Sequence, residues 1–76
     1  MRKRVPSLSG KEMLRVLEQI GFVQIRQRGS HVTVRREQRG IVIVLTVPLH
    51  ATLRKGTLHS ILKIAEMTIK QLGELL

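Results

Sequence analysis

The stretch Phe22–Arg35, "FVQIRQRGSHVTVR", decides the fold. Before it, apolar residues recur every three or four positions. Within it they alternate: Val23, Ile25, Val32 and Val34 are apolar, while Gln24, Arg26, Arg28, His31, Thr33 and Arg35 are polar. A period of two belongs to strands with one covered face, and Gly29-Ser30 between the two runs is turn chemistry, so the pattern predicts a β-hairpin. A two-residue loop sets Arg28 opposite His31, Arg26 opposite Thr33 and Ile25 opposite Val34. This register gathers the polar residues on one face, and a one-residue slip destroys it.

Upstream, in "SGKEMLRVLEQIG" (9–21), Ser9 precedes Glu12 by three residues and Met13, Leu14, Val16, Leu17 and Ile20 follow at helical spacing before Gly21. Capping box, period and glycine stop predict a helix. Downstream, "EQRG" (37–40) predicts a second turn, and the β-branched run "IVIVLTVP" (41–48) predicts a third, well-buried strand. After an irregular stretch from Leu49 to Gly56, Thr57 is placed to cap a helix carrying Leu58, Ile61, Leu62 and Ala65 on one face. Thr68 and Gln71 open a last short helix with Ile69, Leu72, Leu75 and Leu76 to cover, weakened by Gly73.

The order is helix, three antiparallel strands, helix, short C-terminal helix. That is an α+β layer structure with helices on one face of a small sheet. Residues 9–76 form its single domain, preceded by a basic arm at 1–8 that opens "MRKR". With 76 residues, no second domain fits.

Fourteen Lys and Arg against five acids, all Glu, give a formal charge of +9, so the expected partner is a polyanion. No apolar run approaches ~18 residues and no helix joins a basic face to a large apolar one, which favours nucleic acid over a membrane. Phe22 is the only aromatic residue, so the stacking platforms of single-strand binders are missing. The absence of cysteine excludes disulfides and thiolate metal sites and is compatible with a reducing cytoplasm.

His31 is the candidate catalytic residue. It follows Gly29-Ser30 among Arg26, Arg28 and Arg35, and its imidazole exchanges a proton near neutral pH. RNA carries its own nucleophile in the ribose 2′-hydroxyl, so cleavage by in-line attack needs a proton acceptor and charge neutralisation at the phosphate, with no essential metal. In that chemistry His31 serves as acid or base, Arg26 and Arg28 hold the phosphate, and Gly29 and Ser30 let the backbone come close. Thr33 and Arg35 extend the RNA-binding face. A lone histidine beside a tight turn is equally an ordinary polar strand residue, so the assignment stays open at this level. His50, after Pro48, is a second acid/base candidate whose side chain is expected instead to pack; His59 reads as an exposed helix residue. The histidines and glutamates show no metal-ligand spacing, and no cofactor motif is present.

"SGKEMLRVLEQIGF", "RQRGSHVTV", "VPLH" and "GTLHSILKIAEM", in this order and spacing, resemble the HicA toxins of bacterial and archaeal toxin-antitoxin systems. The resemblance runs from Ser9 to Leu76. It implies a fold like that of double-stranded RNA-binding domains, a small messenger-RNA interferase that needs no ribosome, a HicB-type antitoxin that covers the active site, and His31 as the catalytic residue. Two departures stand out. Leu49 occupies the middle of the Pro-x-His motif, where a basic residue is common, and Lys70-Gln71 stand where acids are frequent.

A non-catalytic RNA-binding module using the same basic face is the alternative from another class. A DNA-binding regulator fits less well, because Lys11, Arg15 and Glu18 mix signs on the first helix and the second carries only Lys63.

Overall fold

The computed structural model describes residues 6–76; the first five residues of the basic arm lie outside them. The chain forms α1 (Gly10–Gln19), β1 (Val23–Arg28), β2 (His31–Gln38), β3 (Ile41–Pro48), α2 (Lys55–Ile64) and α3 (Ile69–Leu75).

Local chemistry sets the helix ends. Ser9 Oγ accepts the Glu12 N–H at 3.1 Å, and the Glu12 carboxylate accepts the Ser9 N–H at 2.9 Å, the reciprocal pair of a capping box. The Ser9 backbone N–H, with its hydroxyl adding to the effect, holds the Glu12 carboxyl below the ordinary glutamate value. At the other end Phe22 N–H donates to Leu17 O and Gly21 N–H to Glu18 O, with Gly21 at φ +99°, a Schellman ending. α3 repeats the capping box with Thr68 and Gln71. α2 departs from expectation: its N-cap is Arg54, without a side-chain cap bond, and Thr57 lies inside the first turn. The extended backbone at Arg54 starts the helix three residues early, and its carbonyl already accepts the Leu58 N–H.

The sheet has order β1-β2-β3, antiparallel throughout. The second turn is narrower than 37–40. β2 runs on to Gln38, and Arg39 and Gly40, at φ +52° and +77°, make the connection alone. Two consecutive positive φ values are the signature of a type I′ turn, whose twist matches the flanking strands and lets them pair up to it.

Two further expectations are corrected. Gln24, not Ile25, lies opposite Val34, because the register shifts between Gln24 and Arg26. Ile25 is the extra residue of a β-bulge, and the bulge reverses which face the residues before it present. The third strand is not well buried: only Leu45 and Val47 are, while Ile41, Val42, Val44 and Thr46 are exposed. β3 is an edge strand covered on one face, so its β-branched content reflects fit to a pleated surface rather than two-sided burial.

α1 and α2 pack on the covered face and α3 packs against α1, so that all three helices share one core with the sheet. Met13, Val16 and Leu17 of α1, Leu58, Ile61 and Leu62 of α2 and Leu72 of α3 form one buried cluster with Val32, Val34, Leu45 and Val47. Leu8, placed by the sequence at the end of the arm, is also in this core, and its carbonyl accepts the Leu53 N–H at 2.8 Å. Each such aliphatic side chain contributes about 1.5–3 kcal/mol by leaving water.

Candidate functional site

The register arranges the uncovered face in rows across the strands. The first row is Arg28, His31 and Pro48; the next is Arg26, Thr33 and Thr46; the third is Val23, Arg35 and Val44. Rows on one face are about 7 Å apart, two residues of strand rise. The bulge at Ile25 is what carries Val23 onto this face, so the surface is cationic at the hairpin turn and apolar towards its far end.

At the cationic end His31, Arg28 and Arg26 are exposed, as are Gly29 and Ser30. Gly29 has φ +55° and nothing within 4 Å of where a Cβ would stand, so the turn is open to an approaching group. Positive φ at the first central residue is the pattern of a type II′ turn and favours glycine. The Gln27 side-chain amide donates to the Gly29 carbonyl at 3.0 Å, and the Leu49 N–H donates to the Ser30 carbonyl at 2.6 Å. His31 therefore projects from a turn held on both sides.

Not every predicted contact residue has the same freedom. Thr33 is 8% exposed, and its hydroxyl sits 3.2 Å from that of Thr46, bonding β2 to β3. Arg35 is ion-paired with Glu37 at 2.9 Å. Such an exposed pair is worth about 0–1 kcal/mol, which a phosphate can outcompete. Arg36 belongs to the other face: it donates to Ile20 O at 3.3 Å and lies 4.8 Å above the Phe22 ring, closing the end of α1. On the open face Arg26, Arg28, Gly29, Ser30 and His31 thus stand exposed without a competing side-chain ion pair, Arg35 is reachable by exchange of its pair with Glu37, and the Thr33 hydroxyl is engaged within the sheet.

His50 does not pack as expected. It lies two residues past Pro48 with its side chain exposed, and its carbonyl accepts the Gly10 N–H at 3.0 Å. The backbone bond fixes the chain at this point and leaves the imidazole free. His59 is exposed on α2. A cleft of about 470 Å³ lined by Arg36, Gln38, Arg39, Ile41, Ile43 and Glu66 lies at the opposite end of β2 from His31. At the turn the structure offers an open charged surface rather than a pocket, a shape that suits a polymer better than a small molecule.

A model of the family described as the HicA toxin of bacterial toxin-antitoxin matches residues 10–67. The chain belongs to the HicA toxin family.

The matched span starts at the first residue of α1 and ends at Met67, so it holds the whole sheet, the His31 turn and α2. α3 lies beyond it. No curated relative matches the chain. Membership makes this HicA protein the toxin half of a toxin-antitoxin pair. Among the described residues, no helix is long and apolar enough to cross a membrane.

Proposed function

We propose that this HicA toxin is a metal-independent endoribonuclease acting on messenger RNA, with His31 as its catalytic residue and a HicB-type antitoxin covering the same face. The observation that carries the reading is the first row of the open face, where an exposed imidazole stands directly across from Arg28 with Arg26 in the next row. The carboxylate on this face, Glu37, is engaged with Arg35 and sits six residues along the strand from His31.

In the reaction a ring nitrogen of His31 accepts the proton of the ribose 2′-hydroxyl as that oxygen attacks the adjacent phosphorus. The bond from phosphorus to the 5′-oxygen breaks, and the leaving oxygen takes a proton from solvent. Arg28 and Arg26 neutralise the charge that builds on the phosphoryl oxygens. The products are a 2′,3′-cyclic phosphate and a 5′-hydroxyl. Mass spectrometry of the fragments tests this directly: those ends, formed undiminished in EDTA, are expected. Ends bearing 5′-phosphate and 3′-hydroxyl, formed only with magnesium or manganese, refute the mechanism, and RNA bound but never cut returns the chain to the non-catalytic reading.

Arg28 also has a measurable part in binding. Arg28→Ala is expected to lower RNA affinity and to flatten the plot of log affinity against log salt by about 0.7–0.9, one phosphate contact. An unchanged slope places Arg28 off the RNA path.

A further inference from the structure

Gly10 is the buried first residue of α1. Its φ lies outside the left-handed region, so conformational freedom does not explain the glycine, and helix propensity alone favours alanine. Space explains it. A Cβ at Gly10 would overlap the Pro48 carbonyl oxygen and stand 2.9 Å from Leu49 Cα, both backbone atoms that no rotamer change can move. Through this contact the start of α1 sits flush against the corner Pro48–His50, and the Gly10 N–H bonds the His50 carbonyl at 3.0 Å.

The same corner reaches the site. Pro48 is the register partner of His31, and the Leu49 N–H holds the Ser30 carbonyl at 2.6 Å. We propose that Gly10 is a positioning residue for the His31 turn: its bare backbone lets α1 brace the Pro48–His50 corner, and the corner holds Ser30 and sets where the imidazole stands. A methyl group at Gly10 forces the corner outward, and the shift passes through the Leu49 amide to the turn. Gly56, in the first turn of α2, meets nothing within 4 Å and supplies the matched control.

The proposal rests on the endoribonuclease reading for its kinetic consequence but not for its structural one, so the experiment reads both. In the full chain, Gly10→Ala is expected to lower kcat for RNA cleavage about 10–100-fold while KM and RNA affinity stay within about twofold, because a displacement of roughly 1 Å in a reacting group costs rate rather than binding. Backbone amide resonances of Ser30, His31, Leu49 and His50 should shift, those of α3 should not, and Gly56→Ala should change none of these. Should Gly10→Ala fail to fold, Leu49→Pro breaks the brace at its second joint and must give the same loss of kcat. The proposal is overturned by an unchanged kcat, by kcat and affinity falling together with the folded fraction, or by unmoved Ser30 and His31 resonances. If the wild-type chain does not cut RNA, the resonances alone decide: movement at Ser30 and His31 sustains the brace, and silence there refutes it.

Discussion

His31→Ala is expected to lower the rate of RNA cleavage by about 10²–10⁴-fold, the range that a positioned general acid or base contributes, and to abolish toxicity in cells. The fold should persist. His31 is the exposed first residue of β2, and truncating an exposed side chain away from caps and buried networks changes stability by about 0.5 kcal/mol or less. RNA affinity should change little, because on the proposed reading the phosphate charge is met by Arg26 and Arg28, which the substitution leaves in place. Single-turnover cleavage, an RNA titration and a circular dichroism spectrum on the same preparation separate these effects. Cleavage near the wild-type rate removes His31 from the mechanism. Loss of affinity in step with loss of rate makes it a binding residue.

The position of His31 was legible because it depends on local chemistry. Gly29-Ser30 closes the hairpin with Arg28 across from His31 as the two-residue loop requires, and Ser9, Glu12 and Gly21 bound α1 as their spacing implies. What escaped the sequence depends on comparing distant segments. The bulge at Ile25 is a mismatch in residue count between two strands, and no residue type in "VQIR" announces it. The exposure of Val42 and Val44 depends on how many faces the helices cover, and that of Ile41, which shares a face with the buried Leu45 and Val47, on how far along the strand that cover reaches, whereas a β-branched run reports only strand preference. Packing is the natural expectation for His50 from its place after Pro48, but it lies exposed in a corner whose backbone is tied, through its carbonyl, to Gly10, 40 positions away. A backbone contact of that kind leaves one trace in sequence, a glycine where a helix would prefer alanine. Alternation places Thr33 on the open face, but the bond of its hydroxyl to that of Thr46 joins residues on different strands and leaves no local trace.

Leu72→Ala is expected to abolish toxicity by a different route. Leu72 is fully buried on the seven-residue helix α3, which lies past the span matched by the HicA family. α3 is anchored by the Thr68 and Gln71 capping box and by the Gln19 side-chain amide donating to the Leu75 carbonyl at 2.9 Å, both exposed to water. Such bonds add about 1 kcal/mol each at most, so the apolar contact of Leu72 must hold the helix down. A buried Leu→Ala change costs about 2–5 kcal/mol, set against roughly 4–11 kcal/mol for a domain of this length. At about 4–8 °C per kcal/mol, the melting temperature should fall by roughly 8–40 °C. Cleavage per folded molecule, measured well below that temperature, should match wild type because the His31 turn is untouched. This separates Leu72→Ala from His31→Ala, which should melt normally and keep its loss of cleavage rate at every temperature. A fall of less than about 5 °C, roughly 1 kcal/mol on that scale, would mean that α3 does not contribute to the core and that the domain ends near Met67.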